Sequence, residues 1–373
     1  MANIFDYIKW RGDLSFTQDP PNAVDALIFS ALSYINYGCR VEDDPMTPVL
    51  LKDAAEDFFA LEDGESRVRV KNDLDLLYLA AGSTRFGRSE ICMYRNEFIP
   101  EQETQFAAMT FLLDDGSMFL AFRGTDYSLV GWKEDFNMTF QQTIPAQRLA
   151  LQYTRDVALE FTRPMILGGH SKGGNLAVFA AARSSPSFQQ RILSVYSNDG
   201  PGFTKYLMGD PGYLTMVPRI RTYIPQSSVI GMLLEHEEPY TVIRSKTVGL
   251  LQHDPYSWEV LGREFIPVQE INESSQFMDT TIKTWFANMT NQERNQLVDV
   301  MFTLLGTGGA ENVQDLLNPK NIRTYIKTLS SDENLRRVLS TEFLGLIDAA
   351  KKTRAKFEEI KEAEALLEEG SAQ

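Results

Sequence analysis

Met165-Ile-Leu-Gly-Gly-His-Ser-Lys-Gly-Gly-Asn-Leu-Ala177 is the stretch on which the reading of this chain turns. A short apolar run ends in Gly169-His170-Ser171-Lys172-Gly173, and a small-residue segment with helical character follows. Gly-x-Ser-x-Gly between a strand and a helix is the setting of a nucleophile elbow. The turn is so tight that a Cβ at Gly169 or Gly173 would strike the neighbouring strand or helix. Ser171 is then held at the tip with its hydroxyl exposed, and the Lys172 amide points into the site. The bland alternative is a chance Gly/Ser turn, which the flanking strand and helix argue against.

Outward from the elbow, upstream strands are predicted over 91–98, 104–113 and 117–123, the last two joined by the turn Asp114-Asp115-Gly116. A helix over 143–161 precedes the elbow strand, and another runs from the elbow to about 183. Further strands are predicted at 192–198, 219–225 and 240–246. Strands alternating with helices imply a mostly parallel central sheet with helices on both faces and an antiparallel hairpin at its start. Nearer the N-terminus, residues 3–16 show no clear period. Asn22 opens an amphipathic helix that Gly38 can close, a second helix starts at Thr47-Pro48, and a third covers 72–81. Beyond 268 the pattern is helical to the end, with capping boxes at Thr290-x-x-Glu293 and Ser330-x-x-Glu333. The last helix, from about 341 to 369, carries an apolar stripe that includes Phe343, Ile347 and Ile360. The chain therefore divides into 1–268, the α/β domain with its N-terminal helices, and 269–373, a helical C-terminal lobe.

The totals set limits. The 373 residues, 43% hydrophobic and 11% aromatic, can bury one large core and carry an added lobe. Two cysteines, Cys39 and Cys92, allow at most one bridge and suit a reducing compartment. Asp6 interrupts what a signal peptide would need, and no apolar run is long enough to span a bilayer. The expectation is a soluble, cytoplasmic protein with no transmembrane segment. Acidic residues outnumber basic ones, 51 to 36, for a formal charge of -15, which argues against nucleic acid as a partner. Three histidines and two distant cysteines give no zinc spacing. Asp114-Asp115-Gly116 reads as a turn rather than a calcium loop, and Gly306-Thr-Gly-Gly309 lacks the Lys-Ser/Thr of a phosphate loop. No metal and no cofactor are expected.

A serine nucleophile needs a base, an acid to orient that base, and donors for the oxyanion. His170 sits beside Ser171 with its side chain turned away, and reads as a packing or orienting residue. His236 precedes the strand at 240–246, whereas His253 follows it, and sheets of this kind bind ligands beyond the carboxyl ends of their strands. His253 is therefore the candidate base. Asp199, at the end of the strand 192–198, is the candidate acid; its alternative is an ordinary Asp-Gly turn. Phe119-Leu-Ala-Phe-Arg-Gly-Thr-Asp126 is a strand running into a Gly-Thr turn, so the backbone N–H groups of Thr125 and Lys172 can converge on one oxygen; the alternative is an ordinary strand-ending turn at Gly124. The apolar run 229–234, with Met232 and Leu233, could line an acyl pocket, form a small lid, or be a buried helical turn.

Arg123-Gly-Thr-Asp, Trp132-x-x-Asp135 and Gly-His-Ser-Lys-Gly-Gly-Asn-Leu-Ala together resemble the class 3 (fungal-type) lipases of the α/β-hydrolase superfamily, over roughly 70–260. Tyr-Ile-Lys-Trp-Arg-Gly-Asp-Leu-Ser-Phe near the start and Gln252-His-Asp-Pro-Tyr-Ser-Trp258 are similar to a bacterial lipase-like family of unassigned function, over most of 1–265. The resemblance implies an α/β-hydrolase fold, with Ser171 matching the nucleophile, Thr125 the oxyanion position and His253 the histidine. The acid departs from the class 3 pattern, which places it after the strand ending here in Gln226-Ser227-Ser228. Asp199 instead resembles the placement in pancreatic-type lipases. Two functions follow from these residues. One is a serine ester or acyl hydrolase acting on a small-molecule or lipid ester through an acyl-enzyme. The other is a binding or scaffold protein on a degenerate hydrolase fold. Nothing in the sequence selects an oligomeric state.

Overall fold

The structure, a computed structural model, describes residues 1–38 and 40–371. It comprises two compact units, Met1–Ile271 and Asn272–Gln373. The first is built on eight strands: β1 (Val49–Leu50), β2 (Glu90–Ile99), β3 (Thr104–Leu112), β4 (Met118–Phe122), β5 (Met165–His170), β6 (Ile192–Asn198), β7 (Ile220–Pro225) and β8 (Tyr240–Ile243). They lie in one sheet in chain order. Pairing is antiparallel from β1 to β4 and parallel from β4 to β8. A two-stranded ribbon, β9 (Val260–Leu261) and β10 (Glu264–Phe265), follows.

The pleat turns successive residues to opposite faces, and β4 shows the result. Phe119 and Ala121 join one core with residues of α1 (Ile4–Arg11), α2 (Ala23–Leu32), α3 (Leu51–Phe59) and α4 (Lys71–Ala81). Met118, Leu120 and Phe122 join the other, facing α7 (Pro145–Glu160), α8 (Lys172–Arg183) and α11 (Pro211–Met216). Short helices α5 (Thr84–Gly87), α9 (Pro186–Gln189) and α10 (Lys205–Met208), together with α6 (Leu129–Asn137), complete the unit. A mostly parallel sheet covered by helices on both faces is the expected α/β-hydrolase architecture.

Several elements depart from expectation. Residues 3–16 contain α1, held by a capping box between Asn3 and Asp6 that the mixed composition hides. The helix capped by Asn22 ends at Leu32, well before Gly38, because Ser33 closes it. The helix expected from Thr47 starts only at Leu51, since Val49 and Leu50 pair with Ile91 and Glu90 as a sheet edge. Helix α6 is an addition to the predicted elements. Cys39 lies outside the described residues; Cys92 is a buried free thiol.

The second unit holds α12 (Glu273–Ala287), α13 (Asn291–Gly306), α14 (Pro319–Ser331) and α15 (Glu333–Ser371). The capping box at Thr290 and Glu293 is present. Ser330 caps nothing: its hydroxyl bonds back to the Ile326 carbonyl, and Asp332 receives the Leu335 amide instead. On α15, Phe343 and Ile360 stay exposed while Leu335, Val338 and Ala349 are buried. The inward face is therefore not the expected stripe. Among the described residues no helix is long and apolar enough to cross a membrane.

Candidate active site

Strand β5 is buried throughout and α8 starts one residue after it. Between them Ser171 adopts φ 59°, ψ -135°, a conformation that L residues rarely hold. The glycines show why no other residue fits. A Cβ at Gly169 would lie 2.1 Å from the Gly173 carbonyl carbon, and one at Gly173 would lie 2.1 Å from the Phe122 carbonyl oxygen. The Ser171 amide is anchored on the Asn198 carbonyl at 2.9 Å, which ties the elbow to the end of β6.

Asp199, the residue after β6, is fully buried and also has positive φ, 51°. Its Oδ2 lies 2.7 Å from His253 Nδ1. Its Oδ1 accepts from the Ser228 hydroxyl and from the Gly231 amide at 3.1 Å. Ser228 belongs to the segment Gln226-Ser227-Ser228 after β7, and its hydroxyl holds the Asp199 carboxylate in place. A carboxylate only accepts, so Nδ1 of His253 carries the hydrogen and Nε2 presents its lone pair. Neither Nε2 nor Ser171 Oγ makes a hydrogen bond among the described residues, to each other or to any other group.

His253 ends a short 3-10 turn, Gly249–His253, and its carbonyl is held as well. His170 Nε2 lies 2.7 Å from that carbonyl oxygen, and the two rings are 4.5 Å apart, centre to centre. Since the carbonyl can only accept, Nε2 of His170 is the donor and Nδ1 accepts from the Tyr34 hydroxyl at 3.0 Å. Burial, with the charges of His253 and Arg69 adding to it, holds His170 well below the usual histidine range, so the ring is neutral. His170 is thus an orienting residue that grips the loop of the second histidine.

The two expected oxyanion residues are tied down through their side chains. Thr125 Oγ1 donates to the Asp135 carboxylate at 2.6 Å. Lys172 Nζ, fully buried, donates to Glu134 Oε2 at 2.8 Å, and to the carbonyl and side-chain oxygens of Gln105 at 2.8 and 2.9 Å. Glu134 also receives the amides of Gln105 and Ala146. Adjacent carboxylates of α6 therefore fix both residues, a role that Trp132-x-x-Asp135 hints at for Asp135 and nothing in the sequence hints at for Glu134. Asp135 keeps 28% of its side chain exposed. Burial nonetheless pushes its pKa up to about 6 against the opposing pull of Lys172.

The run 229–234 is irregular rather than helical, and Gly231 within it serves Asp199. Met232 and Leu233 are half-buried. Leu234 lines a small, shallow cleft with Asn175, Phe179, Gly202, Phe203 and Leu207 among its walls; Met232 and Leu233 are not among them. His236 stands apart from His253, with Nδ1 3.1 Å from Glu238 and Nε2 2.8 Å from the Gly231 carbonyl. No group of three or more His, Cys, Asp or Glu side chains suited to a metal ion occurs among the described residues.

Three solved structures are similar to the chain at low identity. They are the mono- and diacylglycerol lipase from Aspergillus oryzae (15% identity, 68% of this chain and 85% of that one, TM-score 0.38), a mutant form of MDLA from Penicillium cyclopium (14%, 67% and 87%, TM-score 0.38), and the Rhizomucor miehei lipase propeptide complex (13%, 59% and 68%, TM-score 0.36). No curated protein matches the sequence. A family model described as Mbeg1-like matches residues 80–303. That match takes in β2 to β8, the elbow, Asp199 and His253, more than half of the chain, and the protein belongs to the Mbeg1-like family.

Proposed function

We propose that the protein is a serine ester hydrolase working through an acyl-enzyme. The observation that carries the reading is the 2.7 Å bond between Asp199 and His253, which leaves the second ring nitrogen of His253 unengaged beside the elbow. Ser171 Oγ attacks the ester carbonyl as its proton passes to His253 Nε2. The tetrahedral oxyanion accepts hydrogen bonds from the backbone N–H groups of Thr125 and Lys172. Collapse breaks the ester C–O bond, and the leaving alkoxide takes the proton from Nε2. Water, deprotonated by the same nitrogen, then releases the acid and restores Ser171. Asp199 holds the imidazole in the required tautomer and stabilises its charged form.

A second reading, a binding protein on a degenerate hydrolase fold, is favoured by one observation: Ser171 Oγ is not bonded to His253. Such bonds often form only once substrate is present. A fluorophosphonate probe, which reacts only with an activated serine, separates the two. The expected result is labelling of the wild type and hydrolysis of p-nitrophenyl butyrate, both lost in Ser171→Ala at nearly unchanged melting temperature. Full turnover in that variant would remove the nucleophile assignment, and no labelling of the wild type would favour the binding protein.

A further inference from the structure

Arg69 stands beside this site, stacked on Tyr34 and within the field of Asp73 but in no ion pair among the described residues. Its guanidinium carbon lies 4.4 Å from the centre of the Tyr34 ring, whose hydroxyl bonds His170. A Cβ on Gly124 would sit 2.1 Å from that hydroxyl and 3.1 Å from Ser171 Cβ, so Tyr34 and the candidate nucleophile flank one glycine. The charge of Arg69 acts on Tyr127, two residues after Thr125, and on Tyr256, three residues after His253. It also acts on Asp254, the neighbour of His253. The guanidinium therefore packs on the tyrosine behind the elbow and lies within electrostatic reach of Tyr127 and of the histidine loop.

Among the described residues the Arg69 side chain makes no hydrogen bond and no ion pair, and its Nε is buried without an acceptor. Several other arginines of the unit are engaged through their side chains. Arg85 binds Asp25 at 2.6 Å, Arg95 binds Asp43 and Asp156, and Arg219 binds the carbonyls of Gln189 and Ile192. Nor are the nearby carboxylates arranged to serve Arg69. Asp73 receives the Tyr256 hydroxyl at 2.5 Å together with the amides of Arg69 and Val70, and Asp254 receives the Tyr256 amide. A guanidinium is always charged, and its planar fork matches a carboxylate or phosphate. In a chain of net charge -15, an unpaired, half-buried arginine at the edge of a reaction site is placed to take an anion from outside.

We propose that Arg69 binds an oxyanion of the substrate, so that the ester cleaved at Ser171 carries a carboxylate or phosphate several bonds from its scissile carbonyl. The proposal rests on the hydrolase reading above. The test compares kcat/KM on p-nitrophenyl hexanoate, on mono-p-nitrophenyl adipate and on the matching ester with a terminal phosphonate. The wild type should favour at least one anionic ester over the neutral one by roughly tenfold or more, since a site built to bind a polar group rejects the analogue without it. Whichever anionic ester is favoured identifies the anion. Arg69→Gln should collapse that ratio and Arg69→Lys should restore part of it. A wild-type ratio near one, or a ratio that Arg69→Gln leaves unchanged, overturns the proposal. Calorimetric titration of Ser171→Ala protein with hexylphosphonate, with and without Arg69→Gln, keeps the two readings separate. Arg69-dependent binding, together with a wild type that cleaves none of the three esters, retains the anion site and removes the hydrolase. Binding indifferent to Arg69 removes the anion site.

Discussion

Two histidines in the first unit each face a buried carboxylate, and they differ in what the other ring nitrogen does. His253 bonds Asp199 through Nδ1, keeps 26% of its side chain exposed, and leaves Nε2 without a partner among the described residues. His236 bonds Glu238 through Nδ1, is only 8% exposed, and spends Nε2 on the Gly231 carbonyl. Both of its nitrogens face acceptors, so neither is left to take a proton. Glu238 is further bound by Tyr213 and Thr222, as a structural carboxylate would be. A histidine beside an acid is thus not by itself a catalytic pair. Only His253 keeps a nitrogen unengaged for the base role proposed above.

The sharpest way to break this contrast is His253→Ala, which should lower kcat on an activated ester by about 10⁶-fold, the scale seen when the base of a serine triad is removed. Combining it with Ser171→Ala should add little, because triad members act as a unit. Asp199→Asn should keep the fold and lower kcat by roughly 10⁴-fold by presenting the wrong tautomer. A silent Asp199→Asn would reduce the machinery to a Ser-His dyad. Lys172→Met tests a pair with no catalytic nitrogen at all. Leaving Glu134 buried and unpaired should lower unfolding free energy by about 3–5 kcal/mol in urea titration. His236→Ala should change kcat by less than about tenfold and lower stability by roughly 1–3 kcal/mol, the cost of stranding buried partners.

The last variant also has a pH signature. Burial raises the Glu238 pKa, but hydrogen bonds from His236, Tyr213 and Thr222 outweigh it and hold the group below its ordinary value. A depressed carboxylate contributes stability above its unfolded pKa, about 4.3, and loses it as pH falls through the folded value. The stability gap between wild type and His236→Ala should therefore be widest above about pH 5 and narrow towards acid. A gap that widened in acid would mean that Glu238 is not what His236 supports.

The strands and the elbow are legible in the sequence because each is written locally. Apolar runs on either side of the turn Asp114-Asp115-Gly116 mark β3 and β4, and the Asn22 and Thr290 caps lie within three residues of the amides they bind. The end of β6 and the start of β8 are legible too, although β8 stops at Ile243 rather than 246, and the order of Asp199 and His253 after these strands follows from them. What the sequence hides depends on distant partners. Val49 and Leu50 leave the expected helix only because Ile91 and Glu90 offer them a sheet edge. The hold of Ser228 on Asp199, of His170 on the His253 carbonyl, and of Glu134 on Lys172 joins residues 29, 83 and 38 positions apart. No local pattern announces such contacts. Helix α6 is a different case: its Ser128 cap, bonding the Gly131 amide at 3.1 Å, is a local signal masked by the lipase-like motif that overlaps it.

The positive φ angles of Ser171 and Asp199 place folding and chemistry in competition at the same two peptide units. Each such conformation stores strain on the order of 1–3 kcal/mol, which glycine would relieve. Ser171→Gly is therefore a candidate for raising the melting temperature, and it is also the change that would remove the proposed nucleophile, whereas Asp199→Gly would strand Ser228, Gly231 and His253 and forfeit the gain. A laboratory selection for thermal resistance alone would drift towards glycine at 171, and a lineage released from its reaction would be free to take the same route.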